Sequence, residues 1–160
     1  MGLKSAGKSE VAVIPGEVKL TIEDKMNGTA GSARYDFSTG RISGSRFSIT
    51  REVEGDRVTL KGEKFEYDYR RKRLGVTGGF QATIDGSRGR QTKITGDELT
   101  WIQDEEIYTQ GNVVARTGSG WKLTSEEMRW NPGKETLICS GPVVAVKDDA
   151  RVRGESLTYD

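Results

Sequence analysis

The sequence predicts an all-β protein of about ten antiparallel strands, built from about five two-strand repeats. Three observations carry that expectation. Aligned on its aromatic residues, the chain places Tyr35, Tyr67, Trp101, Trp130 and Tyr159 at intervals of 32, 34, 29 and 29 residues, within the range of stacked repeat units. Apolar and polar residues alternate with a period of two, with Val18, Leu20 and Ile22 set against Glu17, Lys19 and Thr21, and Phe80, Ala82 and Ile84 against Gln81 and Thr83. That period belongs to half-buried strands. Turn-forming clusters separate the runs: Glu54-Gly55-Asp56, Asp85-Gly86-Ser87, Thr117-Gly118-Ser119-Gly120, Asn131-Pro132-Gly133 and Asp148-Asp149.

Within each repeat the same landmarks recur. Five residues before each aromatic stands a small residue, in turn Ala30, Gly62, Gly96, Ser125 and Gly154. Two residues before it the series is Ala33, Phe65, Leu99, Met128 and Leu157, so the aromatic and its partner share a strand face. A second landmark alternates with the first, a glycine followed two residues later by an apolar residue: Gly16/Val18, Gly78/Phe80, Gly111/Val113 and Gly141/Val143. Gly44 precedes Phe47 by three instead. The extra residue there, and the change of parity between Ile94 and Gly96 on one side and Leu99 and Trp101 on the other, predict bulges that bend the strands. No stretch reads as a helix; Asp104 to Gln110 starts with acids, but Ile107 and Thr109 keep the strand register.

The alternation selects an inward face. Its first half comprises Val18, Leu20, Ile22, Phe47, Ile49, Leu60, Phe65, Tyr67, Leu74, Val76, Phe80, Ala82, Ile84 and Ile94. Its second half comprises Leu99, Trp101, Ile107, Val113, Ala115, Leu123, Met128, Trp130, Leu137, Cys139, Val143, Ala145, Val152, Leu157 and Tyr159. Stacked rungs of this kind make an elongated body. It either closes as a sandwich with a packed core or stays open as a groove, which needs a ligand to cover its apolar lining.

Composition bounds the chemistry. At 160 residues with 33% hydrophobic and 31% charged, the chain is about one domain long, expected over residues 11–160 after a flexible N-terminal segment, 1–10. Apolar runs such as Val11 to Ile14 are far short of the roughly 20 residues of a membrane helix. With no His and one Cys, Cys139, a His or Cys metal site, a His-based triad and an internal disulfide are excluded, and no cofactor is expected. Cys139, in phase with Leu137, reads as a buried apolar residue. A formal charge of +1 gives no sign of nucleic-acid binding. Residues 1–80 carry 15 basic and 11 acidic groups and residues 81–160 carry 10 and 13, a weak polarity between the ends. The acidic pairs Asp97/Glu98 and Glu126/Glu127, and the run Asp104/Glu105/Glu106, place neighbours on opposite strand faces, so they make no catalytic dyad and no enzyme is expected.

Several segments carry a family resemblance: Leu60-Lys61-Gly62-Glu63-Lys64-Phe65-Glu66-Tyr67-Asp68, Gln110-Gly111-Asn112-Val113-Val114-Ala115, Gly120 to Trp130, Gly141-Pro142-Val143, and Arg153-Gly154-Glu155-Ser156-Leu157-Thr158-Tyr159-Asp160. Together, over residues 16–160, they resemble the OstA-like lipopolysaccharide-transport superfamily, and the order of the closing segments is most similar to its LptC branch, with LptA next. The resemblance implies a periplasmic, twisted β-jellyroll open along a groove, which binds lipopolysaccharide acyl chains and passes them from an inner-membrane ABC transporter toward the outer membrane. It also implies an inner-membrane tether in the full-length protein. Carried over by position, the groove lining is Phe80, Ile84, Leu99, Trp101, Val113, Leu123, Met128 and Trp130. The alternative is a structural or adhesive β-repeat protein with a closed interior.

Two further surfaces stand out. The run Arg70-Arg71-Lys72-Arg73 follows a strand end; it is either a solvated turn or a contact for lipid phosphates or an acidic partner, since guanidinium groups match phosphate geometry. Val143, Val144, Leu157 and Tyr159 are expected at an exposed strand edge that pairs with an LptA-like partner or, in its absence, with a second copy as a homo-oligomer.

Overall fold

The structure, a computed structural model, describes residues 2–6, 9–86, 88–103, 105–131, 134 and 136–160, with residues 2–6, 9 and 10 as backbone only. The expected turn residues Ser87, Pro132 and Gly133, and the acidic Asp104, lie outside the described residues. The chain is all-β. Its strands are β1 (Gly2–Ala6), β2 (Ser9–Ile14), β3 (Val18–Ile22), β4 (Met26–Ala30), β5 (Ser32–Asp36), β6 (Arg41–Val53), β7 (Asp56–Asp68), β8 (Arg73–Asp85), β9 (Gln91–Gly96), β10 (Glu98–Ile102), β11 (Ile107–Arg116), β12 (Lys122–Asn131), β13 (Thr136–Lys147) and β14 (Ala150–Tyr159). All are joined in one 14-stranded sheet, and all pairings are antiparallel. The boundary expected after residue 10 falls inside β2, and β1 pairs with β2 ahead of it.

The ten expected strands are present as ten bent passes of the chain. Three are interrupted at the bend, β2/β3 at Pro15 to Glu17, β4/β5 at Gly31 and β9/β10 at Asp97, and β1 is added at the start. The long strands show the bend in their pairing: residues 41–45 of β6 lie against β5 while residues 48–51 lie against β4. Likewise β8 pairs with β10 through residues 73–76 and with β9 through residues 80–85. Each pass therefore contributes to two walls. The first holds the aromatic landmarks, and the second holds the apolar residues that follow the glycines.

Backbone geometry makes the corner. Gly16, Gly78, Gly111 and Gly141 have φ of 83°, 78°, 85° and 85°, a region that residues with a Cβ rarely enter. Register shifts fall beside three of them or their partners, at Gly62/Lys64, Gln110/Val113, Thr124/Glu127 and Ser140/Val143. The irregular spacing before Phe47 has a physical reason: the left-handed corner residue in β6 is Arg46, with φ 50°. Gly44 serves packing instead, because a Cβ there would lie 2.6 Å from the Phe65 ring and 2.4 Å from Ser32 O.

The two walls face one another across a common core. Their inward residues form ladders; one runs Tyr35, Ile42, Tyr67, Leu74, Trp101, Ile107, Trp130, Leu137, Tyr159, each paired with the next. Opposite it, Leu60, Ala82, Ile94, Ala115, Leu123 and Ala145 make the second wall's ladder. Contacts at the mouth, away from the corner, close the walls together: Arg51 lies 5.1 Å from the Trp101 ring, Lys72 pairs with Glu23, and the Ser119 and Tyr159 hydroxyls meet. The inward set expected from the sequence is buried throughout the middle of the sheet, and becomes partly or fully exposed only at the ends, at Val18, Val152, Leu157 and Tyr159.

Candidate functional site

The interior between the walls is the first candidate. Phe80, Ile84, Leu99, Trp101, Val113, Leu123, Met128 and Trp130 all point into it from four strands, β8, β10, β11 and β12, and none is more than 6% exposed. Leu99, Trp101, Met128 and Trp130 come from the first wall and Phe80, Ile84, Val113 and Leu123 from the second, and they meet in the common core. They are also packed against each other. The cavities at the mouth are about 10 Å³, beside Tyr67 and Trp101, and about 30 Å³, beside Ile84 and Trp130, spaces of the size of a single small molecule such as water.

The lining is apolar with a few set-in polar groups. Thr109 takes a ladder place between Leu99 and Met128, and its hydroxyl donates to Met128 O at 3.0 Å. Ser125 donates to Glu127 O at 2.7 Å. The Trp101 and Trp130 indole N–H groups have no acceptor among the described residues, although buried indoles ordinarily find one. Burial pushes the Tyr67 phenol up to about 12, with the nearby Glu23 and Tyr69 adding to the shift. Burial likewise raises the Cys139 thiol to about 11, opposed by a hydrogen bond with Ser125, so this cysteine is protonated and inert at neutral pH. Arg51 was not expected inside; it continues the parity of Phe47 and Ile49 to the mouth, and that alternation was the signal for it.

The sheet edge differs from the expectation in one respect. Val143 and Val144 belong to β13, which is hydrogen-bonded on one side to β12 and on the other to β14. Val143 is 2% exposed, so neither residue is at the edge. The edge strand is β14, whose residues are exposed except for the half-buried Leu157 and Tyr159, and whose Val152 is 50% exposed. Nothing among the described residues caps the interior there.

The basic run divides into two pairs. Asp68 Oδ1 accepts from Arg70 N at 2.9 Å and Arg71 N at 3.1 Å, which builds the turn between β7 and β8. Burial would raise the Asp68 carboxyl, but these N–H groups and the guanidinium groups of Arg41 and Arg71 bring it below its ordinary value. Arg70 donates to Ser38 O at 2.8 Å, and Lys72, with φ 54°, is occupied by Glu23. Arg71 and Arg73 make no such bond and stay exposed on the outer side of the first wall.

Among the described residues no helix is long and apolar enough to cross a membrane, and no group of three acidic or Cys side chains is placed to hold a metal ion. No protein-family model matches the chain, and no curated protein is significantly similar to it in sequence.

Proposed function

We propose that the chain is a carrier or bridge for acylated lipid, a periplasmic β-jellyroll of the lipopolysaccharide-transport type, tethered to the inner membrane in its full-length form. The observation that carries the reading is the ladder from Tyr35 to Tyr159: it runs unbroken along the sheet and emerges half-exposed at an unpaired edge strand. A hydrocarbon tail offers no hydrogen bonds, so a site for it must be long, apolar and uniform along its length. An exposed strand edge recruits another strand, and an uncapped apolar interior gains when a similar one continues it. In this reading β14 pairs with the next β-jellyroll, and the walls part at the mouth to admit the tail. The unsatisfied indole N–H groups of Trp101 and Trp130 then donate to acyl carbonyl oxygens.

A second reading has its own support. Leu99 and Met128, each 1% exposed, sit in a close-packed interior, as in a structural or adhesive β-repeat with no ligand. One experiment separates the two. A photo-crosslinking residue at Leu99 or Leu157, activated in cells, yields a lipopolysaccharide adduct if tails enter the interior. Adducts absent at both positions, while the same residue placed in a known lipid carrier reacts, would leave the dry repeat standing.

A further inference from the structure

Outside the core, on the outer face of the first wall, lies a depression of about 770 Å³ crossing β2, β5, β6, β7 and β8. Across its floor the strand register alternates small residues with Glu66 and Lys64. Ser43 lies beside Glu66, which lies beside Gly75, and Ser45 lies beside Lys64, which lies beside Thr77. Ser32 and Ser45 share a hydroxyl hydrogen bond of 2.9 Å across the floor.

Gly75 is the informative residue. It stands mid-strand in β8, where glycine costs about 0.5–1 kcal/mol relative to alanine, and nothing in the backbone requires it. Its φ is not left-handed, and an added Cβ would meet only Glu66 O, at 3.9 Å. At Gly44, Gly62 and Gly96, by contrast, packing requires glycine, since a Cβ there would come within 3.0 Å of a neighbouring atom. At Gly75 the missing side chain leaves the depression open.

The rim is basic. Arg34, Arg41, Lys64, Arg71 and Arg73 line it, together with the carboxylates of Glu66 and Asp68. Arg41 engages both acids, at 3.5 and 3.4 Å. The other four cations form no salt bridge among the described residues. Arg71 acts on the Asp68 carboxylate and Arg34 on Asp36, but five cations against the two carboxylates of the lining leave the rim with a net positive charge, which favours an anion, and guanidinium groups with serine and threonine hydroxyls match phosphate oxygens. The volume exceeds that of phosphate alone and falls in the range of small-ligand pockets.

We infer that this outer depression binds a phosphorylated sugar, the phosphate held by the Arg34, Arg71 and Arg73 rim and the sugar hydroxyls by the Ser43, Ser45 and Thr77 floor. The site does not depend on the interior opening, so it stands or falls apart from the carrier reading. Amide NMR of the whole chain, titrated with a glucosamine phosphate, tests it. Shifts are expected at Ser43, Ser45, Gly75 and Thr77, weakening as salt is added, with none from unmodified glucosamine. Arg34→Gln and Arg73→Gln each reduce affinity about tenfold. Gly75→Val fills the floor: it abolishes the shifts while raising Tm, because valine suits a strand better than glycine. Binding that survives Gly75→Val in a folded protein, inorganic phosphate binding as tightly as the sugar phosphate, or no shifts at millimolar ligand would each overturn the assignment.

Discussion

Truncating Leu99 to alanine puts the interior to a quantitative test. Leu99 is 1% exposed and lies between Val76 and Thr109 on the strands either side. The substitution removes three carbons, each worth about 0.8 kcal/mol on burial. Hydrogen-bonded strands on both flanks keep the gap from collapsing, and the cavity left behind brings the loss to about 3–5 kcal/mol. For a chain of this length, about 2–4 °C of Tm accompanies each kcal/mol, so Leu99→Ala lowers Tm by about 6–20 °C. Thermal and urea melts followed by tryptophan fluorescence measure it, with Lys93→Ala, on the exposed face of β9, as a control within about 0.5 kcal/mol of the parent. A loss for Leu99→Ala below about 1 kcal/mol would mean that the side chain faces space already open, and the packed-interior geometry would be refuted. Under the carrier reading, acylated lipid that enters the variant restores part of the loss, because a ligand bound only to the folded state stabilises it.

Four other outcomes follow from the same geometry. Gly96→Ala places a Cβ 2.9 Å from the Phe80 ring and 3.2 Å from Gly111 O, costing about 1–3 kcal/mol in denaturant melts, and Phe80→Leu in the same chain recovers part of it. Val152→Lys sets a charge at the uncapped end and reduces self-association in sedimentation velocity, with stability nearly unchanged. Folding holds the Tyr67 phenol neutral, with its value raised from 10.0 to about 12; the stabilisation is complete below pH 10 and lost as pH rises to about 12, and Tyr67→Phe removes that part of the pH dependence of stability. Iodoacetamide leaves Cys139, 0% exposed, unmodified in the native protein at pH 8 and labels it in urea, as mass spectrometry reads directly.

Alternation along the chain was enough to assign the inner face from Leu20 to Ala145, because in a strand the side of each residue follows from its place in the count. The same count held across the corners once the bulges were allowed for, since a glycine two residues before an apolar residue is a local conformational signature. Gly44 was misleading for an equally local reason: glycine in this position answers to the Phe65 ring of the next strand, and the corner is turned by Arg46. Arg51 was legible by parity and hidden by its charge. Assigning Val143 and Val144 to the edge missed the fact that β14 covers β13, a matter of which strand comes last in the sheet.

Periodicity, turn chemistry and the spacing of the aromatics are properties of neighbouring residues, and they specified ten passes of the chain with most of their inward faces and corners, while the sheet divides these passes and β1 into fourteen strands. Whether a face is covered depends on residues distant in the chain. Thus Trp101 and Val152 carry the same inward pattern, yet one is sealed beneath Arg51 and the opposite wall, while the other stands half in solvent at the open end. The outer depression arises in the same way: Ser43, Ser45, Gly75 and the basic rim are scattered along the sequence, and strand register alone brings them onto one surface.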